Sequence, residues 1–323
     1  MPIQELDKKK IGMFHARLAD FGYLDLHPYR QVEPAKRSAW TIEQLKRNFS
    51  APQGVAFGHF RNGRLLGIAG AKILTFDTEH FGKTMGRIGP IHLSLEAAEY
   101  DGKQLVLACM KHLLKYGCKF VDVRVPTADL KLIRSLLRTG FYLADTQVEY
   151  AFRFDKTELP KVEHQADLRL AAPDDRKQLL ALTRETFDGY IDRFHLDPFF
   201  DDTKATDMYV KWIGNSLTKL ADAVLIAEIG MRIAGFLTLE VKHKQNKTTE
   251  FRMAEGVLAG VAPWARGKGI YTSLLAECLP WFKERADVAT VVTQVDNTAV
   301  QTAWANLGYR LVSGKHTFHW HTP

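Results

Sequence analysis

The sequence predicts an α/β protein made of two halves with similar element order. Three observations carry that reading. A run of small and apolar residues, Gly256-Val257-Leu258-Ala259-Gly260-Val261, leads through Pro263 into Arg266-Gly267-Lys268-Gly269. Apolar residues at helical spacing then run from Ile270 to Phe282, so the order is strand, glycine-rich turn, helix. Asn62-Gly63 stands between two apolar runs, the strongest short hairpin signal. Finally, Thr139-Gly140-Phe141-Tyr142-Leu143 is matched by Leu307-Gly308-Tyr309-Arg310-Leu311, each after a strand and a short helix. Such a match reads as internal duplication.

At 323 residues the chain exceeds what one hydrophobic core usually serves, so two domains are expected. We place them at 1–158 and 166–323, because Asp155 to Ala166 is polar, contains Pro160 and has little to bury. Hydrophobic content of 46% and charged content of 25% are those of a soluble globular protein. The net charge of +7 suits anionic partners such as nucleotide phosphates. No Lys/Arg run is dense enough for a nucleic-acid arm. Cys109, Cys118 and Cys278 form no C-x-x-C pair, which points to a reduced cytoplasmic setting without structural zinc. No apolar run approaches the roughly 20 residues that span a bilayer.

Taken in order, Thr41 with Gln44 reads as a helix start. The hairpin around Asn62-Gly63 follows, then a strand near 86–93 and a long helix from Leu95 to Tyr116. Phe120 to Val125 is a strand, Ala128 to Arg138 a helix, and Phe141 to Phe154 the strand closing the first half. The second half runs through a short strand at Leu168–Leu170, helices at 175–187 and 205–220, and a hairpin turning at Ile229-Gly230-Met231. A polar loop from His243 to Thr249 precedes the central strand and helix. A strand at 288–295, a helix at 298–306 and a final strand at 309–320 complete it.

The glycine-rich turn would aim free backbone N–H groups and the positive end of a helix at one spot, an arrangement suited to phosphate. It lacks the spacing of the nucleoside-triphosphate and dinucleotide motifs. Arg266-Gly267-Lys268-Gly269-Ile270-Tyr271 instead resembles the [QR]-x-x-G-x-[GA] turn of the GCN5-related N-acetyltransferase (GNAT) superfamily. Asn297, Gly308 and Tyr309 resemble its second pattern, N-x-x-A-x-x-x-Y-x-x-x-G-[FY]. The resemblance implies two tandem GNAT-like domains, the N-terminal one degenerate because it lacks the turn. It further implies acetyl-coenzyme A as co-substrate, no metal, and cofactor contacts at Leu258, Gly260, Val261, Arg266, Gly267, Lys268, Gly269, Ile270, Tyr271 and Asn297. Two positions depart from the family: Tyr271, where it usually has Gly or Ala, and Trp304, where its frequent thiolate-protonating tyrosine falls. Indole is a donor but not a usable acid, so Tyr271 is the first candidate for that proton.

Phe76 to Gly82, Asp192 to Ile213 and Thr293-Gln294-Val295-Asp296-Asn297-Thr298-Ala299 resemble stretches of bacterial TDP-fucosamine acetyltransferases. That similarity implies the amine of a nucleotide-linked amino-deoxy sugar as acceptor, in cell-surface polysaccharide synthesis. Alternatives are a peptide, antibiotic or other small amine, and a degenerate coenzyme-binding scaffold. A homodimer stays open. A mostly protonated sugar amine wants a base, for which Glu255 and Glu240 are candidates, each also explained as a strand-end or solvent-facing carboxylate. Arg193 and His195 lie where a substrate-covering loop would be. Asp201 and Asp202 are explained equally by a helix cap. His316, His319 and His321 lack a companion that would complete a zinc set.

Overall fold

The computed structural model describes residues 3–322. The chain divides into two compact units: residues 1–146, 247–250 and 313–323 in unit 1, and 147–246 and 251–312 in unit 2. The cut does not coincide with the polar stretch at 155–166, and the strand pairing explains why. The first half ends in strand β6 (Tyr142–Arg153), whose residues 147–153 pair antiparallel with β11 (Val288–Gln294) of unit 2. The last strand of the chain, β12 (Arg310–His321), pairs through Lys315–His321 with β5 (Phe120–Pro126) of unit 1. Each half therefore supplies the closing strand of the other half's sheet.

Unit 1 has the sheet order β1 (Ile3–Glu5), β2 (Val55–Arg61), β3 (Arg64–Ile73), β4 (Met85–Leu93), β5, β12. Unit 2 has β7 (Asp167–Leu170), β8 (Ala223–Ile229), β9 (Arg232–Val241), β10 (Met253–Val261), β11, β6. In each, one parallel pair sits among antiparallel ones: β4 with β5, and β10 with β11. The registers agree residue by residue. Ile88 faces Val123 as Gly256 faces Val291, 168 positions on (256 less 88, 291 less 123). The irregularity between Ile88 and Ile91 on β4 recurs between Gly256 and Ala259 on β10. The duplication expected from two short matching stretches thus extends through the β-sheet.

Helices α1 (Pro34–Asn48), α2 (Thr75–Phe81), α3 (Glu99–Lys115) and α4 (Leu130–Leu137) belong to unit 1. α5 (Arg176–Phe187), α6 (Asp202–Asn215), α7 (His243–Thr249), α8 (Ile270–Lys283) and α9 (Thr298–Asn306) follow. In unit 1, α3 covers one sheet face over Leu105, Cys109, Leu113 and Phe318, and α1 covers another cluster around Leu45 and Ile68. In unit 2, α8 packs on β8 to β11 through buried Leu274, Leu275 and Phe282.

Three local expectations are corrected. α1 starts seven residues before Thr41, because Pro34 at its first position pre-sets φ, and the Thr41 hydroxyl bonds back to the Arg37 carbonyl inside the helix. The stretch 243–249, expected as a loop, is α7, with Asn246 holding the Met253 backbone from both sides (2.9 and 2.9 Å). The short helix α2 lies in a segment read only for its resemblance. Asn62-Gly63 does turn the first hairpin, with φ of 50° and 76°.

Candidate active site

A cleft of about 760 Å³ opens in unit 2 where β10 and β11 separate. Their parallel pairing runs from Met253 opposite Val288 to Gly256 opposite Val291 and stops there. Both strands continue, so Val257 to Val261 and Val292 to Gln294 line the gap from its two sides. The irregularity on β10 contributes to the parting, because an extra residue bends the strand. Beyond it, the Ala262 N–H donates to the Ala234 carbonyl at 2.9 Å. By strand alternation Gly260 also turns its backbone groups to β9, and those of Ala259 and Val261 face the open edge. Gly260 is small for packing: a Cβ there would sit 2.7 Å from the Phe236 ring. The Leu258 N–H, at a position expected among the cofactor contacts, is bonded to the Thr238 hydroxyl at 2.9 Å.

At the end of β10 the chain passes a short turn at Pro263–Ala265 and reaches Gly267 and Gly269, both left-handed (φ 75° and 72°). A Cβ at either would meet nothing, so conformation rather than space calls for glycine. Gly269 stands at the N-cap of α8 and offers no capping side chain. The Ser273 N–H makes the first helical bond, to the Gly269 carbonyl at 2.9 Å. Helix geometry therefore leaves the N–H groups of Ile270, Tyr271 and Thr272 without an intrahelical acceptor. With Arg266 they border the cleft, and these residues fit a pyrophosphate. Lys268 does not line it. Its ammonium lies over the Trp264 ring, as does the Arg232 guanidinium (5.6 and 4.5 Å from the centroid).

Unit 1 differs at this point. Counted by the offset, Glu99 and Asp101 stand where unit 2 has Gly267 and Gly269. Asp101 is buried, accepts the Ala98 N–H at 2.7 Å and bonds His59 at 2.8 Å. A protein carboxylate sits at the helix start that would otherwise take a phosphate.

Deeper in unit 2's cleft, Trp304 is 1% exposed and donates its indole N–H to the Tyr271 hydroxyl at 2.9 Å. Burial raises the Tyr271 pKa above that of free tyrosine. Asn297 is at the N-cap of α9, but its amide donates to the Thr293 hydroxyl at 3.0 Å instead of capping the helix.

The remaining predicted residues lie outside the cleft lining. Glu255 is bound by Lys242 at 2.6 Å, and Lys242 also holds Glu240 at 3.0 Å. Burial lowers the Lys242 pKa, but the two carboxylates more than offset it and the net shift is upward. The candidate bases are thus the partners of a half-buried ammonium. His195 bridges Asp192 and Thr206, at 3.1 Å on each side, and the Arg193 guanidinium rests on Phe194. Asp192 is buried and accepts from the Phe194 N–H (2.7 Å), the His195 N–H (2.9 Å) and the Tyr209 hydroxyl. Asp192→Ala should cost about 1–3 kcal/mol by stranding those donors, read as a lower urea midpoint. Asp201 accepts the Lys204 N–H at 2.9 Å and is the cap of α6.

An aromatic wall that is not among the expected site residues completes the cleft. Phe187, Tyr190, Tyr209 and Trp212 line the cleft, Tyr209 stacked on Phe187 with centroids 4.1 Å apart, and the Tyr190 hydroxyl donates to Gln294 at 3.0 Å. The aromatic density between 187 and 212 is plain in the sequence, but nothing in it separates core from cleft. Among the described residues, no group of three or more His, Cys, Asp or Glu could hold a metal.

Residues 179–309 match the model of the Acetyltransferase (GNAT) family. A comparison with curated proteins gives no match. Among solved structures, the fold is similar to a GCN5-related N-acetyltransferase from Sphaerobacter thermophilus (TM-score 0.65, 12% identity, 99% of this chain and 95% of that one). It is similar to a tandem GNAT protein from the clavulanic acid biosynthesis pathway (TM-score 0.56, 11% identity, 99% and 98%). A third is the GCN5-related glucosamine N-acetyltransferase region of a fungal multi-domain β-N-acetylglucosaminidase (TM-score 0.67, 14% identity, 98% of this chain and 38% of that one). Residues 179–309 therefore match a family whose reaction carries acetyl from acetyl-coenzyme A to an amine, and the chain shares its α/β fold with structures of GCN5-related N-acetyltransferases.

Proposed function

We propose that this chain acetylates the amine of a nucleotide-linked amino-deoxy sugar. The observation that carries this reading is the lining of the cleft: one side is a phosphate-type turn, another an aromatic wall, and no Asp or Glu is among its lining residues in unit 2. An apolar sugar face or a base stacks on aromatic rings, whereas a polyamine or basic peptide calls for carboxylates. The electron-withdrawing oxygens of a sugar ring also lower the basicity of its amine, so more of it is neutral without a nearby base.

In this reading Arg266 and the N–H groups after Gly269 hold the pyrophosphate, and the open edge at Ala259 and Val261 pairs with the pantetheine arm. The amine nitrogen attacks the thioester carbonyl, the C–N bond forms, and the C–S bond then breaks with its electron pair on sulfur. Fixing both substrates in one cleft contributes most, up to roughly 7–11 kcal/mol. A backbone N–H of the open edge, rather than that of Leu258, would face the carbonyl oxygen.

The test is thiol release from acetyl-coenzyme A with TDP- and UDP-linked 3-amino- and 4-amino-deoxy sugars, against polyamines and peptides. Turnover confined to a sugar nucleotide is expected. Turnover only on polyamines or peptides would overturn the acceptor assignment and leave the acetyl transfer standing.

A further inference from the structure

Three tyrosines line the cleft of unit 2. Tyr190 donates its hydroxyl hydrogen to Gln294, and Tyr209 donates to Asp192. Tyr271 is in the opposite situation. Its oxygen accepts the indole N–H of Trp304 at 2.9 Å, and among the described residues no acceptor takes its hydrogen. Indole nitrogen donates only, so the tyrosine O–H must turn away from Trp304. Trp304 is fully buried and fixed in place by its contact with the Tyr150 ring, 5.3 Å between centroids. Tyr271 lies in the first turn of α8, beside the Gly267–Gly269 turn.

We propose that Trp304 is a positioning residue that aims the Tyr271 O–H at the sulfur of coenzyme A. The assignment rests on the acetyl-transfer reading of the cleft. As the C–S bond breaks, the hydroxyl donates a hydrogen bond to the sulfur carrying the new electron pair. The proton that sulfur finally holds is the one lost from the amine nitrogen, so Tyr271 begins and ends neutral. The raised Tyr271 pKa agrees with a group that keeps its proton throughout neutral pH.

The test compares wild type with Tyr271→Phe, Trp304→Phe and the double variant. One readout needs no acceptor: the ultraviolet titration of the coenzyme A thiol when bound. A hydrogen bond to the thiolate lowers the bound thiol's pKa in wild type, and both single variants should move it back up. With a turned-over acceptor, Tyr271→Phe should lower kcat roughly 100-fold with the KM for acetyl-coenzyme A nearly unchanged. The double variant should be no worse than Tyr271→Phe alone, because Trp304 acts through the hydroxyl. Thermal melts identify any variant that fails to fold, and for Trp304 a histidine, which keeps a ring N–H, then serves as the second variant and should retain the low thiol pKa. The same thiol titration in all folded proteins, or additive losses in the double variant, would overturn this assignment alone. Absence of coenzyme A binding by wild type in calorimetry would overturn the functional reading and this assignment with it.

Discussion

Gly269→Glu is expected to abolish acetyl-coenzyme A binding, with calorimetric affinity falling by at least 100-fold. Two effects add. Glutamate is held at a φ of 72°, a left-handed conformation costing an L-residue about 1–2 kcal/mol. Its carboxylate also sits at the start of α8, where it competes for the donors that would take a phosphate. Unit 1 offers a partial precedent: Asp101, which the offset sets opposite Gly269, lies in the first turn of α3 and accepts a backbone N–H at 2.7 Å. Because an acid at a helix start favours the helix by roughly 0.3–1 kcal/mol, the variant should melt close to wild type while losing the ligand. Gly269→Asn is the control: asparagine tolerates the left-handed region and adds no charge, so binding should stay within a few-fold. If Gly269→Glu binds as tightly as wild type, the turn is not the pyrophosphate site.

The turn was legible before any coordinates because each of its features has a local cause. Small residues mark the strand, proline ends it, and two glycines permit the left-handed turn into α8. The Asn62-Gly63 hairpin is legible for the same reason. What the sequence hid is non-local. Glu255 stands one residue before the cleft-lining stretch and so reads as a base, but its carboxylate meets Lys242, the residue just past the end of β9. Tyr271 and Trp304 both depart from a family pattern, yet only the packing of α9 beside α8 makes one the partner of the other. Arg193 and His195 lie in a loop that reads as a substrate cover, whereas that loop joins His195 and Tyr209 through Asp192 in one hydrogen-bonded layer. The exchange of closing strands was hidden most completely. β6 and β12 face similar apolar strands, Phe120-Val121-Asp122-Val123 and Val288-Ala289-Thr290-Val291, and side-chain alternation gives no reason to prefer one over the other.

That exchange makes the second large prediction. A chain cut in the polar stretch, giving 1–158 and 166–323, should yield two fragments that do not fold separately. Fragment 1–158 keeps every helix of unit 1 but loses β12, whose Lys315–His321 segment pairs with β5. With it go Phe318, which is 1% exposed, and Trp320, both packed in the core beneath α3. Large aromatic deletions from a core cost about 3–5 kcal/mol each, against a total stability of about 5–15 kcal/mol for a domain. The fragment would also keep residues 147–153 of β6 with no partner and leave the edge of β5 open, a template for aggregation. Fragment 166–323 has the converse defect, since β11 loses β6 and Phe152, fully buried against Tyr309 with ring centroids 5.4 Å apart, is gone. Circular dichroism melts of each fragment should show no cooperative transition, and co-expression of the two should restore one. A cooperative melt of fragment 1–158 within a few degrees of the intact chain would mean that its sheet closes without β12, and that the strand pairing seen here is not what holds unit 1 together.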